Sequence, residues 1–231
     1  NYAIKNLKIS SGSASVGLFA TAKNATIKNV VIDEGSEISG SHSDASIGGI
    51  VGSIPQNGDC RIENCVNYGT IIGKSIRQFN TMRGYTGGIA GYVLASKTVI
   101  IGCKNYGNVK YADGSFSYTL GGIVGSTSSK VVITSCENHG ELYAPSKELW
   151  AGLGNGSEVG GIVGNAFGYI SGCYNDGKVT GGMYVGGIAG QVRGVIESCY
   201  NIGSVNADSD TANCEIGGIA GDASGNFNNC Y

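Results

Sequence analysis

The sequence has few charged residues, little proline and no long apolar run, and each shortage excludes a class of protein. Charged residues make up 14% of the chain of 231 residues, proline occurs twice, and the formal net charge is −2. With this charge balance the chain lacks the basic footprint of a nucleic-acid-binding protein. No apolar run approaches the roughly 20 residues of a membrane-spanning helix, so we expect no direct membrane insertion of this segment.

The amino terminus also lacks a recognisable export signal. The first residues, NYAIKNLKIS, contain no apolar core of a secretory signal peptide. We therefore expect any export signal to have been removed or to lie upstream. Disorder is excluded as well, because isoleucine, valine and tyrosine are plentiful while the net charge is low.

Glycine is abundant, with 41 residues, and it belongs to a repeat that has no collagen-like period. The pentapeptide Gly-Gly-Ile-(Val/Ala)-Gly recurs with copies that begin at Gly48, Gly87, Gly121, Gly160, Gly186 and Gly217. Each copy is followed by a second block of the pattern I-x-x-C-x-N-x-G-x-V, as in ISGCYNDGKV at 170–179 and IESCYNIGSV at 196–205. Repetition at this spacing is typical of stacked repeat proteins.

Constant and variable positions alternate when these second blocks are aligned. The cysteine column comprises Cys65, Cys103, Cys136, Cys173, Cys199 and Cys230. The asparagine column comprises Asn67, Asn105, Asn138, Asn175 and Asn201. The residues directly after each cysteine and each asparagine vary freely. Since successive side chains of a strand point to opposite faces, we expect the constant columns to point inward and the variable ones outward.

The pattern predicts an all-β fold, a β-solenoid (parallel β-helix) of about seven coils with three short strands per coil, forming a single domain over residues 1–231. The shortest unit, 161–186, contains three pieces rich in β-branched residues, GIVGNA, YISGCYN and KVTGGMYV, separated by glycine-rich corners. We expect each asparagine to lie at a corner, with a left-handed backbone and its amide bonded to the amide of the next coil. The chain begins and ends within a repeat, so we expect it to be a fragment of a longer protein.

These residues carry a resemblance to a known family. Gly49-Ile50-Val51-Gly52 and its copies, followed by the cysteine block, resemble the GLUG repeat of bacterial surface proteins. The degenerate copy Gly17-Leu18-Phe19-Ala20 keeps the leucine of that motif and loses its last glycine. The resemblance implies a secreted or surface-anchored, often adhesin-like protein. Similar repeats also accompany the catalytic domains of metallopeptidases that cleave immunoglobulin A, and the family motif transfers no catalytic residue.

Three readings of the recurring cysteines are open. Zinc binding needs converging ligands with close paired spacings, which the column does not show. Disulfides along the column would have to join side chains that run parallel, which suits the S–S torsion poorly. Small buried residues in a ladder are favoured, because Val30 and Leu7 fill the same position in cysteine-free copies. Cys60 and Cys214 stand outside the column, and a bridge involving either stays open.

Aromatic residues are concentrated in the segments between the last apolar column and the next Gly-Gly pair. Insertions at one repeat position emerge along one edge of a solenoid, so these residues are candidates for ligand binding. They are Phe79, Tyr85, Tyr111, Phe116, Tyr118, Tyr143, Trp150 and Tyr184. The alternative is that they fold back and cover the flank of the solenoid. A second set in an outward column, Tyr174, Tyr200 and Tyr231, predicts a short tyrosine stripe.

Other candidate chemistry is sparse. Asp208, Asp210 and Glu215 form a weak calcium candidate, since they lack the glycine and ligand spacing of known calcium loops. His139 occupies an outward column and predicts a solvated residue. We expect no other metal, no cofactor and no catalytic residue.

The sequence favours a non-enzymatic, monomeric segment of an exported bacterial surface protein that acts in adhesion, in ligand binding or as a spacer. Its partner would be a host or cell-surface glycan or protein. One alternative is an accessory, non-catalytic region of a surface metallopeptidase. Another is a polysaccharide-active β-helix enzyme, although the outward columns show no cluster of acids, and fold alone must not supply an activity.

Overall fold

The computed structural model describes residues 3–74, 83–112, 118–144, 157–208 and 214–231. In these ranges the chain winds into coils that build five parallel sheets, four with seven strands and one with six, and a coil contributes at most one strand to each sheet. We number the sheets I to V in the order in which a coil passes through them. Sheet I comprises β1 (Lys8–Ser11), β6 (Glu37–Gly40), β11 (Thr70–Gly73), β16 (Val109–Tyr111), β21 (Leu142–Tyr143), β26 (Val179–Gly181) and β31 (Val205–Ala207).

The next two sheets flank the Gly-Gly pairs of the repeat. Sheet II comprises β2 (Ser15–Val16), β7 (Ser46–Gly48), β12 (Gly84–Gly87), β17 (Tyr118–Gly121), β22 (Glu158–Gly160), β27 (Tyr184–Gly186) and β32 (Glu215–Gly217). Sheet III comprises β3 (Phe19–Thr21), β8 (Val51–Ile54), β13 (Ala90–Val93), β18 (Val124–Thr127), β23 (Val163–Ala166), β28 (Ala189–Val192) and β33 (Ala220–Ala223).

The last two sheets carry the cysteine block. Sheet IV comprises β4 (Thr26–Lys28), β9 (Arg61–Glu63), β14 (Val99–Ile101), β19 (Val132–Thr134), β24 (Tyr169–Ser171), β29 (Val195–Glu197) and β34 (Asn226–Asn228). Sheet V comprises β5 (Val31–Ile32), β10 (Val66–Asn67), β15 (Lys104–Asn105), β20 (Glu137–Asn138), β25 (Tyr174–Asn175) and β30 (Tyr200–Asn201). The predicted β-solenoid of about seven coils is confirmed.

Each coil has five strands where the sequence predicts three, because two of the predicted pieces are interrupted. In the unit 161–186, YISGCYN divides into β24 and β25 at Gly172, whose φ is +58°. KVTGGMYV divides into β26 and β27 at Gly181 and Gly182. A residue in the left-handed region cannot continue an extended strand, so the chain turns directly before each cysteine.

Equivalent positions of the repeat lie above one another, as predicted. Ile100 of β14 pairs with Ile62 on one side and with Ile133 on the other, and Ile133 pairs with Ile170. The side chains of these isoleucines are fully buried. Burial of an isoleucine side chain contributes about 1.5–3 kcal/mol, so these columns supply much of the favourable free energy of folding.

The cysteines are packing residues of the same kind. Cys65, Cys103, Cys136, Cys173 and Cys199 are fully buried thiols, and Cys230 in the last coil is half-buried. Each column thiol donates to a backbone carbonyl two residues earlier, as from Cys136 Sγ to Thr134 O at 3.4 Å. Burial of the column confirms the interpretation of these cysteines as small packing residues. Cys60, outside the column, is also a buried free thiol.

The asparagine side chains form a continuous amide ladder, as predicted. Nδ2 of Asn105 donates to Oδ1 of Asn138 at 2.8 Å, and Nδ2 of Asn138 donates to Oδ1 of Asn175 at 2.7 Å. The same Nδ2 also donates to the carbonyl two residues later, as from Asn138 to Gly140 O at 3.0 Å. The four column members Asn67, Asn105, Asn138 and Asn175 are fully buried.

The backbone expectation for these asparagines is wrong. They lie in the strands of sheet V, and the left-handed residue is the one directly before each cysteine. This position holds Asn6, Asn29, Asn64, Gly102, Ser135, Gly172, Ser198 and Asn229, all with φ between +51° and +63°. Asparagine and glycine tolerate this region best, so the composition of that column was the available signal.

The Gly-Gly pair is required by the asparagine ladder and by the next coil. A Cβ atom on Gly161 would lie 2.0 Å from the carbonyl oxygen of Gly187 and 2.5 Å from Cγ of Asn175. The same relation joins Gly122 to Asn138 and Gly88 to Asn105. The two blocks of the repeat are therefore packed against each other in the coils that contain a column asparagine.

We predict that position 136 accepts an apolar residue and rejects a charge. Cys136→Val should change the free energy of unfolding by less than about 1.5 kcal/mol, because volume and polarity change little. Cys136→Asp should cost about 3 kcal/mol or more, because the carboxylate would be buried without a partner. Denaturant unfolding of both variants measures this, and equal stability of the two would show that the column faces solvent.

We predict that Asn138→Asp destabilises the protein in a pH-dependent way. The carboxylate cannot donate to Gly140 O or Asn175 Oδ1 and is buried, which should cost about 3 kcal/mol at neutral pH. The folded state should raise the pKa of this aspartate above that of the unfolded chain. Stability should therefore recover as the pH falls through the raised pKa, since the protonated carboxyl can donate.

Asn108→Asp, at an exposed position, is the matched control. The free energy of unfolding of Asn138→Asp, measured relative to this control, should rise as the pH is lowered. If Asn138→Asp were as stable as the control at neutral pH, that result would contradict the ladder.

Candidate functional site

Sheet V presents two outward columns beside the buried asparagines. One column holds the residue after each cysteine and the other holds the residue after each asparagine. Aromatic side chains occupy the second column in the amino-terminal half and the first column in the carboxy-terminal half. We call this continuous set the aromatic ribbon; it comprises Tyr68, Tyr106, His139, Tyr174, Tyr200 and Tyr231.

The rings of the ribbon stack along the solenoid axis. The ring centroids of Tyr68 and Tyr106 are 4.8 Å apart with an interplanar angle of 11°, and those of Tyr106 and His139 are 4.5 Å apart with 14°. The ribbon changes column between His139 and Tyr174, which meet edge to face at 5.9 Å. Tyr174, Tyr200 and Tyr231 then continue it, as the predicted stripe requires.

Stacking decides which part of each ring is accessible. Neighbouring rings cover the faces of the interior members, so ring edges and hydroxyl groups are what the surface presents. Four ribbon residues are exposed, at 44% for Tyr68, 40% for Tyr106, 39% for Tyr200 and 79% for Tyr231, whereas His139 and Tyr174 are half-buried. Large aromatic side chains held at this exposure on rigid strands are a feature of interaction surfaces.

A charged cluster lies at the centre of the ribbon. His139 Nδ1 lies 2.7 Å from Asp176 Oδ1, and His139 Nε2 lies 3.1 Å from Glu137 Oε2. Both contacts are hydrogen bonds to carboxylates only when both ring nitrogens carry a proton. Tyr174 donates its hydroxyl proton to Asp176 Oδ2 at 3.0 Å, which joins the cluster to the second half of the ribbon.

An ion pair fixes the other side of this cluster. Lys104 Nζ lies 2.8 Å from Glu137 Oε2. The hydrogen bond from Lys104 lowers the pKa of Glu137, and the same bond raises the pKa of Lys104. The sequence shows Lys104, Glu137 and His139 only as members of variable columns, so their association depends on the stacking register.

Five of the eight predicted loop aromatics lie within the described residues, in strands of sheets I and II. Tyr143 in β21 is 38% exposed. Tyr85 in β12 is half-buried and stacks on Tyr92 of β13 at 4.2 Å, and burial raises the pKa of Tyr85 to about 12. Tyr184 in β27 is half-buried, and burial raises its pKa. Phe79, Phe116 and Trp150 lie outside the described residues.

Tyr111 and Tyr118 are core residues, which corrects the expectation that they contact a ligand. Each is 2% exposed, and their rings stack on each other at 4.6 Å. Thr86 donates to the Tyr111 hydroxyl at 3.1 Å, and Tyr118 donates to Ala144 O at 3.1 Å. For these two residues the alternative holds, because they fold back onto the flank of the solenoid.

Sequence reasoning missed a buried charge in sheet II. Glu158 is 2% exposed, and it accepts hydrogen bonds from the Arg83 guanidinium and, at 2.7 Å, from Thr119 Oγ1. Burial raises the pKa of Glu158. The position two residues before the Gly-Gly pair varies too widely among the repeats to have signalled a buried carboxylate there.

Metal and thiol chemistry find little support. Glu215 is exposed in β32, Asp208 directly follows β31, and Asp210 lies outside the described residues, so the calcium hypothesis stays a prediction. Elsewhere, over the ranges that the structure describes, no three histidine, cysteine or acidic residues are grouped to hold a metal ion. Burial raises the pKa of the Cys136 thiol.

Comparison with known proteins gives no relative. No family model, no curated protein and no solved structure matches the chain. The resemblance to GLUG repeats therefore rests on the motif alone. Within the described ranges, no helix is long and apolar enough to cross a membrane.

We predict that the ion pair at the centre of the ribbon contributes to stability over a defined pH window. Because the folded state lowers the pKa of Glu137, its contribution should be complete above the ordinary glutamate pKa of about 4.3 and should be lost as the pH falls through the lowered value. Because the pKa of Lys104 is raised, the contribution should persist until the pH rises past about 10.4.

Unfolding free energies of the wild type and of Glu137→Gln, measured between acidic and neutral pH, test this window. The difference between them should shrink on acidification, whereas Glu34→Gln at an exposed site should follow the wild type. A difference that is constant over this pH range would contradict the role of the pair.

Proposed function

We propose that this chain is a non-enzymatic β-solenoid segment of an exported bacterial surface protein and that it binds a protein partner through the aromatic ribbon. The observation that carries the proposal is the continuous run of contacting aromatic side chains along sheet V, four of which are exposed. The motif resemblance to surface-protein repeats supports the location, and the ribbon supports a binding role over that of a plain spacer.

The rigidity of the surface favours binding. The inner strands of sheet V are held on both sides by parallel neighbours, and the buried amide ladder lies directly beneath the ribbon. Tyrosine adds a large contact area with few rotatable bonds, and here the stacked neighbours restrict those bonds before a partner arrives. A pre-organised surface loses less conformational entropy on association.

The accessible part of the rings favours a protein over a glycan. Sugar rings bind tyrosine by stacking on its face, and both faces of Tyr106 are covered, by Tyr68 at 4.8 Å and by His139 at 4.5 Å. Edges and hydroxyl groups suit the mixed apolar and hydrogen-bonding contacts of protein interfaces, where tyrosine is enriched. The experiment below therefore tests glycans alongside proteins.

The contacts of the acidic residues beside the aromatic ribbon favour binding over catalysis. Glu137 contacts Lys104 and His139, while Asp176 contacts His139 and Tyr174. Carboxylates engaged in this way stabilise the surface. Hydrolysis of a polysaccharide would instead require an acid with a raised pKa beside a second carboxylate.

The proposal predicts that a variant without the ribbon folds and loses binding. The chain should be screened on arrays of matrix and cell-surface proteins and of glycans, and each hit retested with Tyr68→Ser/Tyr106→Ser/Tyr200→Ser. If each truncation costs about 1 kcal/mol, the triple variant should bind at least about 100-fold more weakly.

Tyr169→Ser is the matched control, since Tyr169 is an equally exposed tyrosine, at 38%, on sheet IV. Protein hits that persist in this control and disappear in the triple variant would support the proposal. Unchanged binding by the triple variant, hits confined to glycans, or no hit on either array would overturn it.

A further inference from the structure

Tyr68 and Tyr106 form an exposed pair of phenols whose arrangement has a chemical consequence of its own. Their ring centroids are 4.8 Å apart, their planes are inclined by only 11°, and both side chains are more than a third exposed. They belong to adjacent coils, and the backbone fixes them side by side because Tyr106 N donates to Asn67 O at 2.8 Å.

The geometry suits coupling of two phenoxyl radicals. When tyrosine loses one electron and its phenolic proton, part of the unpaired spin resides on the ring carbons ortho to the oxygen. That spin lies in π lobes that point along the normal of the ring. A new carbon–carbon bond therefore forms along the stacking direction, which is where the neighbouring ring of the pair lies.

We propose that Tyr68 and Tyr106 are an oxidative cross-linking site that yields a dityrosine bond between adjacent coils. The oxidant is a haem peroxidase with hydrogen peroxide. Each phenol gives up one electron and one proton, and the two radicals join through one ortho carbon of each ring. Each joined carbon then loses its hydrogen as a proton, and the phenol oxygens are reprotonated. Two hydrogens in total leave the pair, and hydrogen peroxide becomes two molecules of water.

Tyr85 and Tyr92 stack at 4.2 Å with an angle of 12°, but both are half-buried and lie in the same coil, so a bond between them would not join coils. The remaining tyrosine pairs in the described residues are less suited to this reaction. Tyr111 and Tyr118 stack at 4.6 Å but are 2% exposed, so an enzyme-bound oxidant cannot reach them. The planes of Tyr174 and Tyr200 are inclined by 38°, which misaligns their π lobes. Tyr200 and Tyr231 are near parallel but 5.7 Å apart. Tyr68 and Tyr106 combine exposure, proximity and alignment.

The bond would staple the solenoid against unravelling. It joins two coils that are 38 residues apart along the chain, the spacing that also separates Asn67 from Asn105 beneath them. A covalent link over such a loop restricts the unfolded chain, in the same way as a disulfide. This consequence holds whether or not the ribbon binds a partner.

Peptide mapping of the oxidised chain tests the site. After accessible thiols are blocked with N-ethylmaleimide, the chain is treated with peroxidase and hydrogen peroxide at low protein concentration and digested with trypsin. Residues 62–74 and 105–110 form separate tryptic peptides, each with one tyrosine. We expect a joined peptide whose mass is two hydrogens below the sum, together with dityrosine fluorescence from monomeric protein.

Phenylalanine variants supply the controls, because they keep the stacked ring and remove the phenol. Tyr68→Phe and Tyr106→Phe should each lose the joined peptide, and Tyr169→Phe should retain it. The linked wild type should also unfold at a higher denaturant concentration than the unlinked protein. Absence of the joined peptide, its persistence in Tyr68→Phe, or linkage found only in dimers would overturn the proposal.

Discussion

The structure depends on the packing of a buried asparagine against a glycine in the same coil. Cγ of Asn175 lies where any side chain on Gly161 would have to go, and the amide of each asparagine bonds both to its own turn and to the next asparagine. The contact closes each coil, and the amide ladder sets the distance and the register between coils. An amide buried in this way is stable only while every donor finds its acceptor, so one misaligned coil would leave polar groups unsatisfied on both sides.

This constraint explains why unrelated surface residues meet. Because register is fixed by the buried columns, outward residues separated by a full coil are brought within contact distance regardless of their identity. Aromatic residues in these columns therefore stack, as Tyr106 does on His139, and oppositely charged residues pair, as Lys104 does with Glu137. The interior can remain constant while the exterior varies, which is the property that a binding scaffold needs.

The repeat allowed most of the fold to be predicted and less of the surface. Constant columns identified the buried cysteines and asparagines, because alternation and the valine substitute at position 30 both indicated packing. The five-sheet cross-section was missed, since the turn before each cysteine depends on the left-handed φ of residues such as Ser135 and Gly172.

Tyr111 and Tyr118 were placed at an edge because sequence shows that a segment is inserted and does not show which way its aromatic residues fold. The pairing of Glu158 with Arg83 arises from residues two coils apart, for which the repeat has no signature.

The most direct test of the account is hydrogen exchange of the asparagine side-chain amides, followed by NMR. The ladder predicts that the Nδ2 protons of Asn105, Asn138 and Asn175 exchange at least about 100-fold more slowly than those of the exposed Asn226 and Asn228, because exchange requires opening of the stacked coils. Exchange of the column amides at the rate of the exposed ones would contradict a structure held in register by buried asparagines.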